Sequence, residues 1–183
     1  MEDTLRLKLL ADLAAERPDT VGVLASWFFQ QWGRHVPGVT LESEIAKVSS
    51  YDGRDAAPLM IVAERGGAPV GAAGLKIREM SIYPEFEHWL GSVFVKPEER
   101  ARGIASCLVK AVLARARDLG ISELYLQTED LSGGLYARHG FKPMERVLYR
   151  DAEVLVMRAE PSRDDPRSSR DLQDCRSSPD VVA

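Results

Sequence analysis

Cysteine is scarce in this chain: 183 residues hold only Cys107 and Cys175. Two cysteines so far apart exclude a disulfide-dense scaffold and a cysteine-built zinc site, and they suit a reduced, cytoplasmic protein. The three histidines, His35, His88 and His139, are scattered without metal-ligand spacing, so no metal is expected. A basic surplus is also missing. Lysine and arginine number 24 against 28 acidic residues, a net charge of −4, which argues against nucleic acid as a partner. Long apolar runs are absent too. The longest, from 21 to 29, falls far short of the ~20 residues needed to cross a bilayer. The opening Met-Glu-Asp-Thr, with Arg6 and Lys8 close behind, starts no signal-peptide pattern, so no membrane partner is expected.

What is present is enough apolar material, 45% of residues, for one well-filled core. Leu5, Leu7 and Leu9 alternate with Arg6 and Lys8, as in a strand. Pro18-Asp19-Thr20 starts a helix carrying Val21, Leu24, Ala25, Phe28 and Trp32, and Thr40 caps a second with Leu41, Ile45 and Val48 on one face. The period then changes to two. Strands are predicted over 59–64, 70–78 and 88–95, the first two joined by Gly66-Gly67. Residues 104–119 form the strongest helix, closed by Gly120. A strand over 123–128, a short helix over 131–139 and a hairpin of 141–149 with 153–158 complete the order β-α-α-β-β-β-α-β-α-β-β. Hairpins combined with a strand-helix-strand crossover imply a mixed sheet with helices on its faces. Residues 1–160 form one domain on this reading. From 161 to 183 the chain is mostly Ser, Arg, Asp and Pro, a composition that predicts a disordered tail.

One hexapeptide stands out: Arg100-Ala101-Arg102-Gly103-Ile104-Ala105, between a proline turn and the strongest helix. A helix N-terminus presents unpaired N–H groups and partial positive charge, and a phosphate suits both. Gly103 and Ala105 let an anion reach the main chain, while Arg100 and Arg102 add charge. Between Lys96 and Arg117 there are six basic and two acidic residues, a local +4 in an acidic chain. No Gly-Lys-Ser/Thr follows and no G-x-G-x-x-G spacing is present, which excludes a Walker loop and a dinucleotide fingerprint.

The segment VFVKPEERARGIASCLVKAVLARARDLG resembles the acetyl-CoA-binding motif of the GNAT superfamily of N-acetyltransferases: a strand, a proline turn, Gln/Arg-x-x-Gly-x-Gly/Ala, then an amphipathic helix. Some distance on, LYLQTEDLSGGLYARHGF resembles the second motif of that superfamily, a strand and a short helix with Leu-Tyr, then Gly-Phe. The resemblance covers roughly residues 5 to 159. It implies the GNAT fold, an α/β (α+β) arrangement with a mixed, mostly antiparallel central sheet and about four helices. It further implies acetyl-CoA as co-substrate and a small-molecule or peptide amine as acceptor, in a monomer or homodimer.

Carried over by position, the strand backbone of Val93, Phe94 and Val95 meets the pantetheine arm, with the N–H of Val95 toward the oxyanion. The amides of Arg100, Ala101, Arg102, Gly103, Ile104, Ala105 and Ser106 hold the diphosphate. Tyr136 matches the tyrosine that protonates the departing thiolate; a phenol of pKa ~10 keeps its proton at neutral pH. Where relatives carry a strand glutamate this chain has Gln127, and no asparagine precedes the tyrosine helix. Glu87 is the expected water-mediated base, on one strand face with Trp89, Gly91, Val93 and Val95 by period two; Glu129 and Asp130 are its rivals. Trp27, Phe29 and Trp32, with Glu129 and Asp130, are the expected acceptor contacts. Cys107, without a neighbouring histidine, reads as a buried helical residue. The competing reading is a catalytically silent acyl-CoA-binding module, or an enzyme using another acyl-CoA.

Overall fold

The computed structural model describes residues 4–161. The tail expected over 161–183 lies, apart from its first residue, outside the described residues. β1 (Arg6–Leu9) runs without a break into α1 (Leu10–Glu16), followed by α2 (Asp19–Gln31) and α3 (Leu41–Ser49). Next come β2 (Leu59–Arg65), β3 (Ala68–Ile77), β4 (His88–Val95) and α4 (Ile104–Asp118), then β5 (Leu124–Thr128), α5 (Gly134–Ala137), β6 (Lys142–Tyr149) and β7 (Ala152–Ala159). Among the described residues these make one seven-stranded sheet in the order β1-β2-β3-β4-β5-β7-β6, antiparallel except where β4 meets β5.

Local chemistry explains most element limits. Thr40 caps α3 through a reciprocal pair of bonds: Ser43 N–H donates to Thr40 Oγ1 at 3.1 Å, and Thr40 N–H to Ser43 Oγ at 3.0 Å. α4 ends at left-handed Gly120, where Ile121 N–H reaches back to the carbonyl of Ala116 at 2.9 Å. α5 is shorter than the predicted 131–139. Asp130 accepts from both the N–H and the hydroxyl of Ser132, and Gly133 and Gly134 both have positive φ, so helical backbone begins only at Gly134. α1 has no counterpart in the predicted order. Its two buried leucines, Leu10 and Leu13, continue the leucine run of β1 too briefly for a helical period to show.

The sheet is covered on both faces. α4 packs Ile104, Leu108, Ala111 and Val112 against Ile61, Ala73, Leu75 and Val95. The other face of the same strands carries Met60, Val62 and Ala72 against Leu13, Leu24, Phe28 and Val48 of the first three helices. A third apolar group, with Met80, Trp89, Tyr125 and Val156, lies under the segment joining β3 to β4. Cys107 is buried in the α4 layer, as expected of it.

Leu108 is fully buried between α4 and β3, whereas Leu148 on β6 is 75% exposed. Leu108→Ala should therefore lower unfolding stability by about 2–5 kcal/mol through lost burial and a residual cavity. Leu148→Ser should stay within about 0.5 kcal/mol of the parent. Urea denaturation of the two variants checks both values.

Candidate active site

The central feature is a break in the pairing of β3 with β4. Ala72 lies opposite Phe94 and Gly74 opposite Gly91, so Ser92 and Val93 together oppose the single residue Ala73. Ser92 has φ +52, left-handed backbone that a non-glycine residue adopts at some cost. On the other side of β4, among the described residues, a single registered pair holds the parallel neighbour, Trp89 opposite Tyr125. Beyond Trp89 the two strands diverge, and the edge of β4 from the bulge to Val95 opens toward β5.

The extra residue also exchanges the faces of the strand. Trp89 joins the aromatic group under the β3–β4 segment, Phe94 stacks on Trp27 of α2, and Val95 packs into the α4 layer. The expectation that Trp89, Gly91, Val93 and Val95 share one face therefore fails, because a period of two cannot pass through a bulge unchanged.

The Arg-x-x-Gly-x-Ala segment lies beside this opening. Gly103 caps α4 with φ +74, and Ala101 is also left-handed at φ +59. Among the described residues, no atom would lie within 4 Å of a Cβ at Gly103, so the approach to the helix end is open. Arg100 turns back to donate from Nε to the carbonyl of Val95 at 3.0 Å, tying the arm to the open strand edge. Arg102 is half-exposed and 3.4 Å from Glu99. Ile104 buries its side chain in the core while starting the helix, and Ser106 accepts or donates a 2.7 Å hydrogen bond with His139 Nε2.

Tyr136 stands on α5 against the α4 layer, edge-on to Phe141 with ring centroids 6.2 Å apart. Burial pushes its phenol above the ordinary tyrosine value, which keeps the proton on the oxygen through neutral pH. His139, one turn on, links this short helix to the first turn of α4 through Ser106. Burial lowers the imidazole, and Lys110 and Arg138 lower it further.

The other expected residues are dispersed. Trp27 stacks on Phe94 at 5.2 Å, and Trp32, 42% exposed, meets Phe94 edge-on at 6.4 Å. Phe28 is buried as expected. Phe29 instead covers Gly33, whose Cβ would come within 3.0 Å of the Phe29 ring. Glu129 and Asp130 are exposed, and the Ser132 hydroxyl and N–H hold the Asp130 carboxyl below the usual carboxylate range. Glu87 precedes β4 and is exposed. It lines a groove with Glu85, His88 and Glu123 by the turn after α4. Five residues of extended chain, about 16 Å, separate it from Ser92, so it is not brought to the opening.

Four residues that sequence reasoning did not single out lie there instead. Lys76 and Tyr51 are nearly buried on the α2–α3 side of the bulge, with Glu44 and Glu79 beside them. The available signal was Lys76 itself, a lysine on the strand face that otherwise carries Ala72 and Gly74.

A titration tests the His139 environment. Its folded pKa lies below the ordinary value of about 6.5, so the unfolded chain binds more protons as pH falls through that value. The contribution is neutral above pH 6.5 and becomes destabilising below it. The melting temperature should fall more steeply from about pH 7 to 5 in the parent than in His139→Gln. A ring titration by NMR with a midpoint at or above 6.5 would contradict the assignment.

Comparison with known proteins matches this arrangement. The model of the acetyltransferase (GNAT) family covers residues 20–141. Human N-acetyltransferase 8B is 32% identical over 123 residues, which is 64% of this chain and 54% of that protein; N-acetyltransferase 8 matches to the same extent. The chain thus spans about half the length of these curated relatives. Among solved structures, an acetyltransferase from Salmonella typhimurium with its cofactor acetyl-CoA aligns at TM-score 0.59 and 15% identity, covering 91% of this chain and 99% of that one. An aminoglycoside 6'-N-acetyltransferase complexed with coenzyme A aligns at TM-score 0.66 and 13% identity, covering 85% and 97%. By its matched residues and its fold, this chain belongs to the GNAT acetyltransferase family.

Proposed function

We propose that this chain is an acetyl-CoA-dependent N-acetyltransferase that transfers the acetyl group to a primary amine by direct attack in a ternary complex. The observation that carries this reading is the strand opening after Trp89, set beside an α-helix whose N-terminus is capped by an unobstructed glycine. The amides from Arg100 to Ser106 hold the diphosphate of coenzyme A, and the diverging edge of Val93, Phe94 and Val95 receives the pantetheine. An N–H on that edge, assigned to Val95, stabilises the oxyanion; such a donor is worth about 3 kcal/mol. Tyr136 protonates the thiolate as the C–S bond breaks. The base role expected of Glu87 does not fit its place before β4 and is not retained.

The acceptor enters on the face of Trp27 and Phe94. Gln127, where a strand glutamate occurs in relatives, favours a second reading, a silent acyl-CoA-binding module. Free-thiol release from acetyl-CoA across a panel of polyamine, aminoglycoside, amino acid and peptide amines separates the two.

Coenzyme A should raise the melting temperature, because a ligand that binds only the folded state at a hundredfold excess over Kd stabilises it by about 2.7 kcal/mol. Gly103→Glu should abolish that shift by placing bulk and negative charge at the diphosphate. Gly103→Asn, whose side chain tolerates left-handed backbone, should fold as well as the parent and so separates strain from blocked approach. Normal coenzyme A binding by Gly103→Glu would show that the arm is misassigned.

Tyr136→Phe removes one hydroxyl and keeps the ring. Single-turnover acetyl transfer should fall by something like 10²-fold while coenzyme A affinity changes little. An unchanged single-turnover rate would return Tyr136 to a packing role.

A further inference from the structure

A charged group stands at an inward position of β3. Lys76 is 7% exposed on the strand face that also carries Ala72 and Gly74. Its ammonium is ion-paired with Glu79, in the segment just after the strand. Gly91 makes room for it: a Cβ there would lie 2.7 Å from Lys76 Cδ and 3.3 Å from Nζ. Tyr51, 5% exposed, stands beside Ser92, the left-handed bulge residue, and lies in the field of Glu79 and Glu44. Glu44 reaches the same space from α3, with the half-exposed Lys47 at 3.4 Å.

Stability does not account for this arrangement. A buried ion pair recovers little more than its desolvation penalty, and apolar side chains of the same volume often do as well or better. The pair is also asymmetric. The Lys76 side chain is 8% exposed and that of Glu79 25%, so the carboxylate is the member that opens outward. It opens beside the bulge, on the face opposite the α4 layer that holds Tyr136. Glu79 pairs with Lys76 inside, and Glu44 pairs with Lys47, whose half-exposed side chain leaves that second pair at the rim.

We propose that Glu79, held in an ion pair by Lys76 beside Gly91, takes the proton from the acceptor's ammonium, with Lys76 as the positioning residue. This assignment rests on the amine acetyltransferase reading. The acceptor arrives as R–NH3+, and one proton passes to the Glu79 carboxylate directly or through a water. The freed lone pair forms the C–N bond at the thioester carbon, and the C–S bond breaks. The thiolate takes the Tyr136 proton, and a second proton leaves the nitrogen to restore the phenol. Glu79 returns its proton to solvent, so each turnover releases amide, coenzyme A thiol and one proton.

The test uses the full chain, acetyl-CoA and the best amine from a panel of spermidine, phenethylamine, kanamycin and a lysine peptide. It reads kcat/KM for the amine and KM for acetyl-CoA from about pH 6.5 to 10. Glu79→Gln should lose about 10²-fold at neutral pH, with KM for acetyl-CoA unchanged. The loss should shrink as pH approaches the amine's own pKa, where solvent supplies the free base, and Glu79→Asp should recover part of the rate. Glu79→Gln leaves Lys76 buried without its partner. The paired variant Lys76→Met with Glu79→Gln removes that burden and should show the same pH slope. Profiles parallel to the parent in both variants would overturn the assignment, as would the slope appearing in Glu44→Gln instead. A parent chain that binds coenzyme A but acetylates no amine at any pH would overturn the acetyltransferase reading itself, and this assignment with it.

Discussion

One extra residue in β4 sets the geometry on which the rest of the site depends. With Ser92 and Val93 opposite Ala73, the strand bends and diverges from β5 after Trp89. Left-handed backbone at Ser92 costs on the order of 1–2 kcal/mol relative to ordinary strand geometry, and it persists only where its surroundings determine it. Those surroundings are identifiable. Tyr51 stands beside Ser92 on the helical side, Lys76 fills the space left by Gly91, and Phe94 is fixed by Trp27 and Phe28. The bulge is thus bounded by two buried groups of different kinds, one polar and one aromatic, and each also lines the face on which an acceptor would enter.

The same bend couples the strand edge to the start of α4. The hydrogen bond from Arg100 Nε to the carbonyl of Val95 joins the two parts directly. On the far side of the arm, Ser106 bonds His139, which follows the helix of Tyr136. Open strand edge, glycine-capped helix end and tyrosine helix therefore form one connected unit through two side-chain hydrogen bonds. On the proposed reading, the ligand that spans them contacts a preformed surface. Little of its binding free energy then goes into ordering the chain.

Much of this was legible in the sequence because it is local. The arm, the helix behind it, the Gly120 stop, the Thr40 cap and the Tyr136–Phe141 segment are each contained within about 20 residues and have distinctive side chains. The bulge was not legible. Its strained residue is Ser92, not glycine, and nothing in the alternation from Trp89 to Val95 announces that one residue is skipped. That single omission misplaced Glu87, since the assumption of one continuous face made a carboxylate at the strand's start look like a neighbour of Val95. The Lys76–Glu79 pair was half legible. An inward lysine among Ala72 and Gly74 breaks the pattern, but its carboxylate sits in an irregular segment whose direction no period records. α1 was lost because seven residues are too few for a helical period to emerge beside a leucine-rich strand.

On the proposed reading, the acid and the base serve one carbonyl from opposite faces of the sheet. Tyr136 packs against the α4 layer, whereas Glu79 and Lys76 face the first three helices, with the sheet between them. In an unbroken sheet the two faces would be sealed from one another by paired backbone. Here the divergence of β4 from β5 is the passage between them. A thioester threaded along that edge would present its sulfur toward the tyrosine and its carbonyl carbon toward the opposite face. An amine arriving there would meet the carboxylate first and the thioester next. That order suits direct transfer, because the acceptor loses its proton on the side from which it attacks and the thiol gains one on the side from which it leaves. A covalent route through Cys107 does not share this geometry, since that sulfur is buried within the α4 layer, away from the face on which the acceptor would enter.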